Sequence, residues 1–152
     1  MIISQRTSLL AFVTALLITA IPALAQPAPE AMARRCIAEI RGIARAAAGE
    51  IDQSTQRGIA GMVRADRNGA SDEDLTAAAD RTKGRIGNLA ERASNRIETL
   101  SAACVARLTE VGADPELIDQ VSAAAAAAGE NLSGKAERAQ GRVDAALARL
   151  LG

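Results

Sequence analysis

Tryptophan, tyrosine and histidine are absent from this chain, and phenylalanine occurs once, at position 12. Each aromatic side chain normally buries a large apolar area, so a core built without them must be filled by Ile, Leu, Val, Met and Ala. Helices packed through small residues meet that requirement. Sheets, which favour β-branched and aromatic residues, do not. The missing His and Tyr also remove the usual partners of a catalytic nucleophile. Net charge is lacking too, with 18 basic residues against 18 acidic ones. Without a basic excess to hold phosphates or an aromatic on which to stack a base, no nucleic-acid binding is expected.

The 152 residues leave room for one domain. Near the start, Arg6 precedes a mainly apolar run from Leu9 to Ile21, which breaks at Pro22 and ends in Ala23-Leu24-Ala25 before Gln26. A basic lead, an apolar segment and an A-x-A ending predict a secretory signal over residues 1–25, cleaved between Ala25 and Gln26. The run is shorter than the ~20 residues that span a bilayer, and no cysteine at the cleavage point offers a lipid attachment site. A periplasmic or secreted protein is expected, with a flexible lead over 26–29 and a helical bundle domain over 30–152. Removing Arg6 with the signal changes the net charge from 0 to −1.

Stop and start signals divide the rest into three helices. The first is predicted over about 30–67, with Pro29 at a first-turn position and Asn68-Gly69 as a left-handed stop. Its inner positions are read as Met32, Cys36, Ile40, Ile43, Ala47 and Ile51, with Ile37, Ile59 and Met62 on the flank. Ser71 caps a second helix over about 72–111, and Asp72, Glu73 and Asp74 suit the positive end of its dipole. Those three acids are consecutive and point in different directions, so capping explains them better than a metal site does. Asp114-Pro115-Glu116 opens a third helix over about 115–151, and Gly129 to Gly134 mark a place to kink or fray.

Within the second helix a phrase repeats every eleven residues: Arg85-Ile86, Arg96-Ile97, Arg107-Leu108. Leu75, Ile86, Ile97 and Leu108 form one row, Ala78, Leu89, Leu100 and Val111 a second, and Thr82, Ala93 and Cys104 a third. The same period runs through Ile40, Ile51 and Met62, and through Val121, Leu132 and Val143. Eleven residues in three turns is about 3.67 per turn, so the stripe stays nearly straight. Three helices of similar length sharing this period predict an all-α, elongated antiparallel three-helix bundle, coiled-coil-like, with helices on the order of 55 Å long.

The cysteines test the register. A hairpin turning near residue 70 pairs positions summing to about 140, and Cys36 with Cys104 sums to 140. The same register sets Ala47 against Ala93 and Gly58 against Thr82. In an exported protein the pair reads as a disulfide, and the return of the third helix brings Ser122 to Ala128 beside it.

No catalytic, cofactor-binding or metal-binding constellation and no small-molecule substrate is inferred. Acids and arginines alternate on outward positions, Arg35 with Glu39 and Glu137 with Arg138 and Arg142, in the manner of a solvated face. Arg85, Arg96 and Arg107 read as stems covering the core edge with their guanidinium groups in water. The expected function is a non-enzymatic envelope scaffold, spacer or protein-interaction module, with a protein partner or self-association.

In composition and period the stretch from Arg85 to Val111 also resembles late-embryogenesis-abundant-type proteins and amphipathic lipid-binding repeats, without a shared motif. That resemblance implies a stress-protective or lipid-associated helix former as the alternative. Membrane insertion favours a broad face with bulky anchors; the narrow alanine-rich stripe and the cysteine pair depart from that pattern. A chaperone groove ranks below both, because Met32 and Met62 are the only methionines after residue 25.

Overall fold

Pro29 fixes the first-turn backbone of a helix whose missing N–H would have had no partner in any case. From there the chain is helical over Pro29–Arg67 (α1), Asp72–Glu110 (α2) and Pro115–Leu151 (α3) in a computed structural model that describes residues 28–152. The expected signal and its cleavage point at Ala25 and Gln26 lie outside the described residues. Helices of 39, 39 and 37 residues give rods of about 55–58 Å. All three pack against one another as an antiparallel bundle.

The turns form where their chemistry requires. Gly69 and Gly112 take φ of 79° and 66°, the left-handed region that glycine enters without steric cost. Ser71 and Asp74 form a reciprocal capping box, each satisfying a backbone N–H of the other. Asp114 accepts from the Glu116 N–H at 2.9 Å ahead of Pro115. Helix α3 runs without interruption through Gly129 and Gly134, so the chain does not fray there. Packing on two neighbours offsets the roughly 1 kcal/mol that each glycine costs an isolated helix.

The core follows the eleven-residue period with a corrected row. Apart from Ser54, the buried positions fall at offsets of zero, four and seven in all three helices. The first row is bulky: Ile40, Ile51 and Met62; Leu75, Ile86, Ile97 and Leu108; Val121, Leu132 and Val143, none more than 1% exposed. The other two are mostly small, such as Ala79 and Ala90, Ala93 and Cys104, Ala128 and Ala139. At about 3.67 residues per turn, offsets of four and seven lie roughly 33° on either side of the bulky row. An offset of three lies about 65° away, which explains why Ala78, Leu89 and Leu100 are only half-buried. The row assigned to them in the sequence belongs to Ala79, Ala90 and Ser101. In α1, likewise, Ala33 and Met62 are buried while Met32 and Ile43 sit at the margin.

A bulky row on the bundle axis flanked by small rows lets three helices approach closely without aromatics. Antiparallel neighbours meet through equivalent flanks. The offset-seven rows of α1 and α2 meet at Cys36–Cys104 and at Gly58, where an added Cβ would overlap Thr82. The offset-four side of α2 meets that of α3 around Ser101 and Ala125. The parallel pair, α1 and α3, must then use opposite flanks.

Candidate functional site

The predicted pair Cys36 and Cys104 forms a disulfide, with a Cα–Cα distance of 6.3 Å and a sequence separation of 68. Cys104 is buried and Cys36 half-buried, so the bridge lies at the edge of the α1–α2 seam and closes it near one end of the rod. The alanine run reaches this end as expected: Ser122, Ala125, Ala126 and Gly129 of α3 line a shallow cleft with Ser101, Ala102 and Val105 of α2. Nothing charged except Glu98 lines that cleft. A disulfide of this kind belongs to an oxidising compartment, and among the described residues no helix is long and apolar enough to cross a membrane.

At the other end, a more polar feature arises from the distribution of charge around α3. Its second half carries Lys135, Arg138, Arg142 and Arg149 on the edge turned toward α1, where with Ile59, Gly141, Ala145 and Ala146 they line an open trough of 660 Å³. The acids of the same segment take other partners. Asp144 reaches Lys83 of α2 at 2.9 Å, and Glu137 accepts from the Ser133 hydroxyl at 3.4 Å. An offset of five or one residue from the inward row puts Glu137 and Asp144 on the α2 edge, while Lys135 and Arg142, at offsets of three and minus one, fall on the α1 edge.

One carboxylate from α1 pairs with two of these cations. Asp52 accepts from Lys135 Nζ at 2.6 Å and from Arg142 Nη2 at 2.9 Å. The Lys135 hydrogen bond, then that from Arg142, holds the Asp52 carboxyl below its ordinary value against a smaller opposing effect of desolvation. Asp52 therefore remains ionised at neutral pH, and one negative charge serves two cations. Arg138 and Arg149 have no carboxylate within salt-bridge distance among the described residues. The Arg138 guanidinium folds back over Gly134, where a Cβ would stand 3.2 Å from Nη1. Arg149 Nε donates to the Ala145 carbonyl at 3.2 Å.

A second ion network ties α2 to α3. Lys83 Nζ lies 3.1 Å from Asp80 and 2.9 Å from Asp144, and Gln140 Nε2 donates to the Lys83 carbonyl at 3.3 Å. Hydrogen bonding to Asp144, followed by that to Asp80, raises the Lys83 ammonium above its ordinary range. The second half of α3 is thus fastened to both neighbours by charge, whereas its alanine-rich first half is seated by shape.

The sequence reading found the disulfide and the outward pair Arg35–Glu39, which stand 3.3 Å apart. It placed Arg142 beside Glu137, but Arg142 goes to Asp52 instead. It did not identify the trough. The available signal was the helical edge shared by residues 135, 138, 142 and 149; their convergence on α1 required the fold. Arg85, Arg96 and Arg107 are exposed, line neither cleft and make no salt bridge among the described residues. Among the described residues no three His, Cys, Asp or Glu side chains converge as a metal site. Asp72, Glu73 and Asp74 occupy the first turn of α2, where Asp74 completes the cap. In comparisons with known proteins, no family model, no curated protein and no solved structure matches this chain.

Proposed function

We propose that the chain is an exported, non-enzymatic helical scaffold that works by presenting its surface to a protein partner in a periplasmic or extracellular space. The observation that carries this reading is the Cys36–Cys104 disulfide, which closes two helices of a bundle whose core is otherwise rich in alanine. A covalent cross-link over so long a loop adds about 4 kcal/mol on the chain-entropy account. Such reinforcement suits a long, thin bundle outside the cell. The N-terminal pattern ending at Ala25 supports export independently.

The lipid-associated alternative has less support. Apolar rows turn inward in all three helices, and Leu151 is the exposed large hydrophobic side chain among the described residues. Bilayer binding by an amphipathic helix needs a broad exposed apolar face.

The test is expression of the full chain in a bacterial host, followed by fractionation and mass spectrometry. The expected result is an envelope or medium fraction whose N-terminus is Gln26 and whose digest contains the linked Cys36–Cys104 peptide. Full-length protein retained in the cytoplasm with reduced cysteines would refute the proposal.

A further inference from the structure

We propose that the cation-lined trough between α1 and α3 is the docking seat for an acidic, aliphatic helix of a protein partner. The inference rests on the scaffold reading and specifies which surface does the binding. Four cations line the trough and Asp52 pairs with two of them, which leaves a local charge of +4 − 1 = +3 in a chain whose total formal charge is zero. The concentration of charge is local to this edge, because α3 sends Asp144 to the opposite side to meet Lys83.

The spacing suits an extended run of carboxylates. From Lys135 to Arg149 is fourteen residues, about 21 Å along the axis. Arg138 and Arg142 occupy successive turns, and Arg149 lies two turns beyond Arg142. Arg138 and Arg149, without carboxylate partners among the described residues, can each accept a bidentate carboxylate from outside. Asp52 already engages Lys135 and Arg142, setting the α1 edge of the seat.

The floor favours a peptide over other polyanions. Ile59, Ala145 and Ala146 form an apolar strip between the cations, so a ligand with carboxylates flanking aliphatic side chains gains burial as well as charge pairing. Nucleic-acid bases are commonly held by stacking on aromatic faces, and the chain has no aromatic beyond Phe12. A bilayer would require bulky anchors at the trough, where small residues stand instead. A fourth helix laid between two parallel ones meets the same ridge-and-groove geometry that packs the bundle itself.

The experiment uses the processed chain with its disulfide intact and a fluorescein-labelled helical peptide of about 18 residues, with Glu flanking a Leu/Ala stripe, read by anisotropy at low salt. The expected result is binding that R138E/R149E weakens by about tenfold or more. An equal charge change at the remote exposed residues, R34E/R96E, is expected to alter it by less than about twofold. Circular dichroism of both variants checks that the bundle is retained. Equal loss in the two variants would show diffuse attraction and overturn the proposal. So would tighter binding, sensitive to R138E/R149E, of a sulfated oligosaccharide or of vesicles containing phosphatidylglycerol. Failure of export refutes the scaffold reading but leaves the anisotropy comparison intact; failure of R138E/R149E to act refutes the trough and leaves export untouched.

Discussion

Replacing Gly58 by alanine tests a close approach of α1 to α2. A Cβ at position 58 would overlap the Thr82 side chain, standing 2.6 Å from Oγ1 and 3.0 Å from Cβ. Thr82 cannot turn aside freely, because its hydroxyl donates to the Ala78 carbonyl at 2.9 Å and its branched side chain has few helical rotamers. The Gly69 turn, about three helical turns beyond Gly58, limits how far α1 and α2 can part at this point. Gly→Ala should contribute about 1 kcal/mol through helix propensity, and overpacking of this kind costs about 1–3 kcal/mol. With little freedom to relax, the upper part of that range applies, and G58A should lose about 1–2 kcal/mol net. Gly61, one turn further along α1, has nothing within 4 Å of its added Cβ; G61A should therefore gain up to about 1 kcal/mol. Urea unfolding followed at 222 nm would measure both, and T82A should rescue G58A with a coupling of about 1 kcal/mol or more. If G58A and G61A stabilise equally, the α1–α2 register is wrong.

Reduction of the disulfide, or C36A/C104A, should lower stability by about 4 kcal/mol in the same urea assay; a loss below about 1 kcal/mol would mean that the unfolded chain already keeps the two cysteines close, and would refute the chain-entropy account. Ser54 Oγ is buried without a partner among the described residues, so S54A should stabilise by about 1 kcal/mol in calorimetric melting, and a loss would reveal a bond to ordered water. Asp52 has a carboxyl held below its ordinary value of 3.8, so its contribution is complete above that pH and disappears as pH falls through the lower folded value. D52N should flatten the acid limb of a stability–pH profile, and an unchanged slope would count against the ion triad. Lys83 has the opposite sign: its contribution is present below 10.5 and lost as pH rises through the elevated folded value, so K83M should flatten the alkaline limb.

Local chemistry made the helices, their caps and the α1–α2 register readable. Gly69, Ser71, Gly112, Asp114 and Pro115 act through groups within a turn of themselves, and Cys36 and Cys104 mark a hairpin whose pairing follows from one sum. The row containing Leu89 and Leu100 reads as core from sequence because its side chains are more apolar than Ala79 and Ala90. Helical angle outweighs hydropathy at those positions: the small residues face the neighbouring helix, and the leucines cover the margin. The trough was harder to read. Asp52 is separated from Lys135 and Arg142 by 83 and 90 residues, and nothing in the local pattern of α1 distinguishes its carboxylate from the solvated acids around it.

The arrangement of one bulky row between two small ones has a consequence for length. Each eleven-residue unit advances about 16.5 Å and presents nearly the same cross-section as the next, so the interior has almost the symmetry of a crystal along one direction. Taking one such unit from each helix, clear of the turns and the cysteine pair, removes a slice of the rod and brings equivalent layers into contact across the cut. The bundle is therefore modular in its long dimension, with its reach adjustable in discrete steps while the disulfide and the two tight turns remain as end fittings.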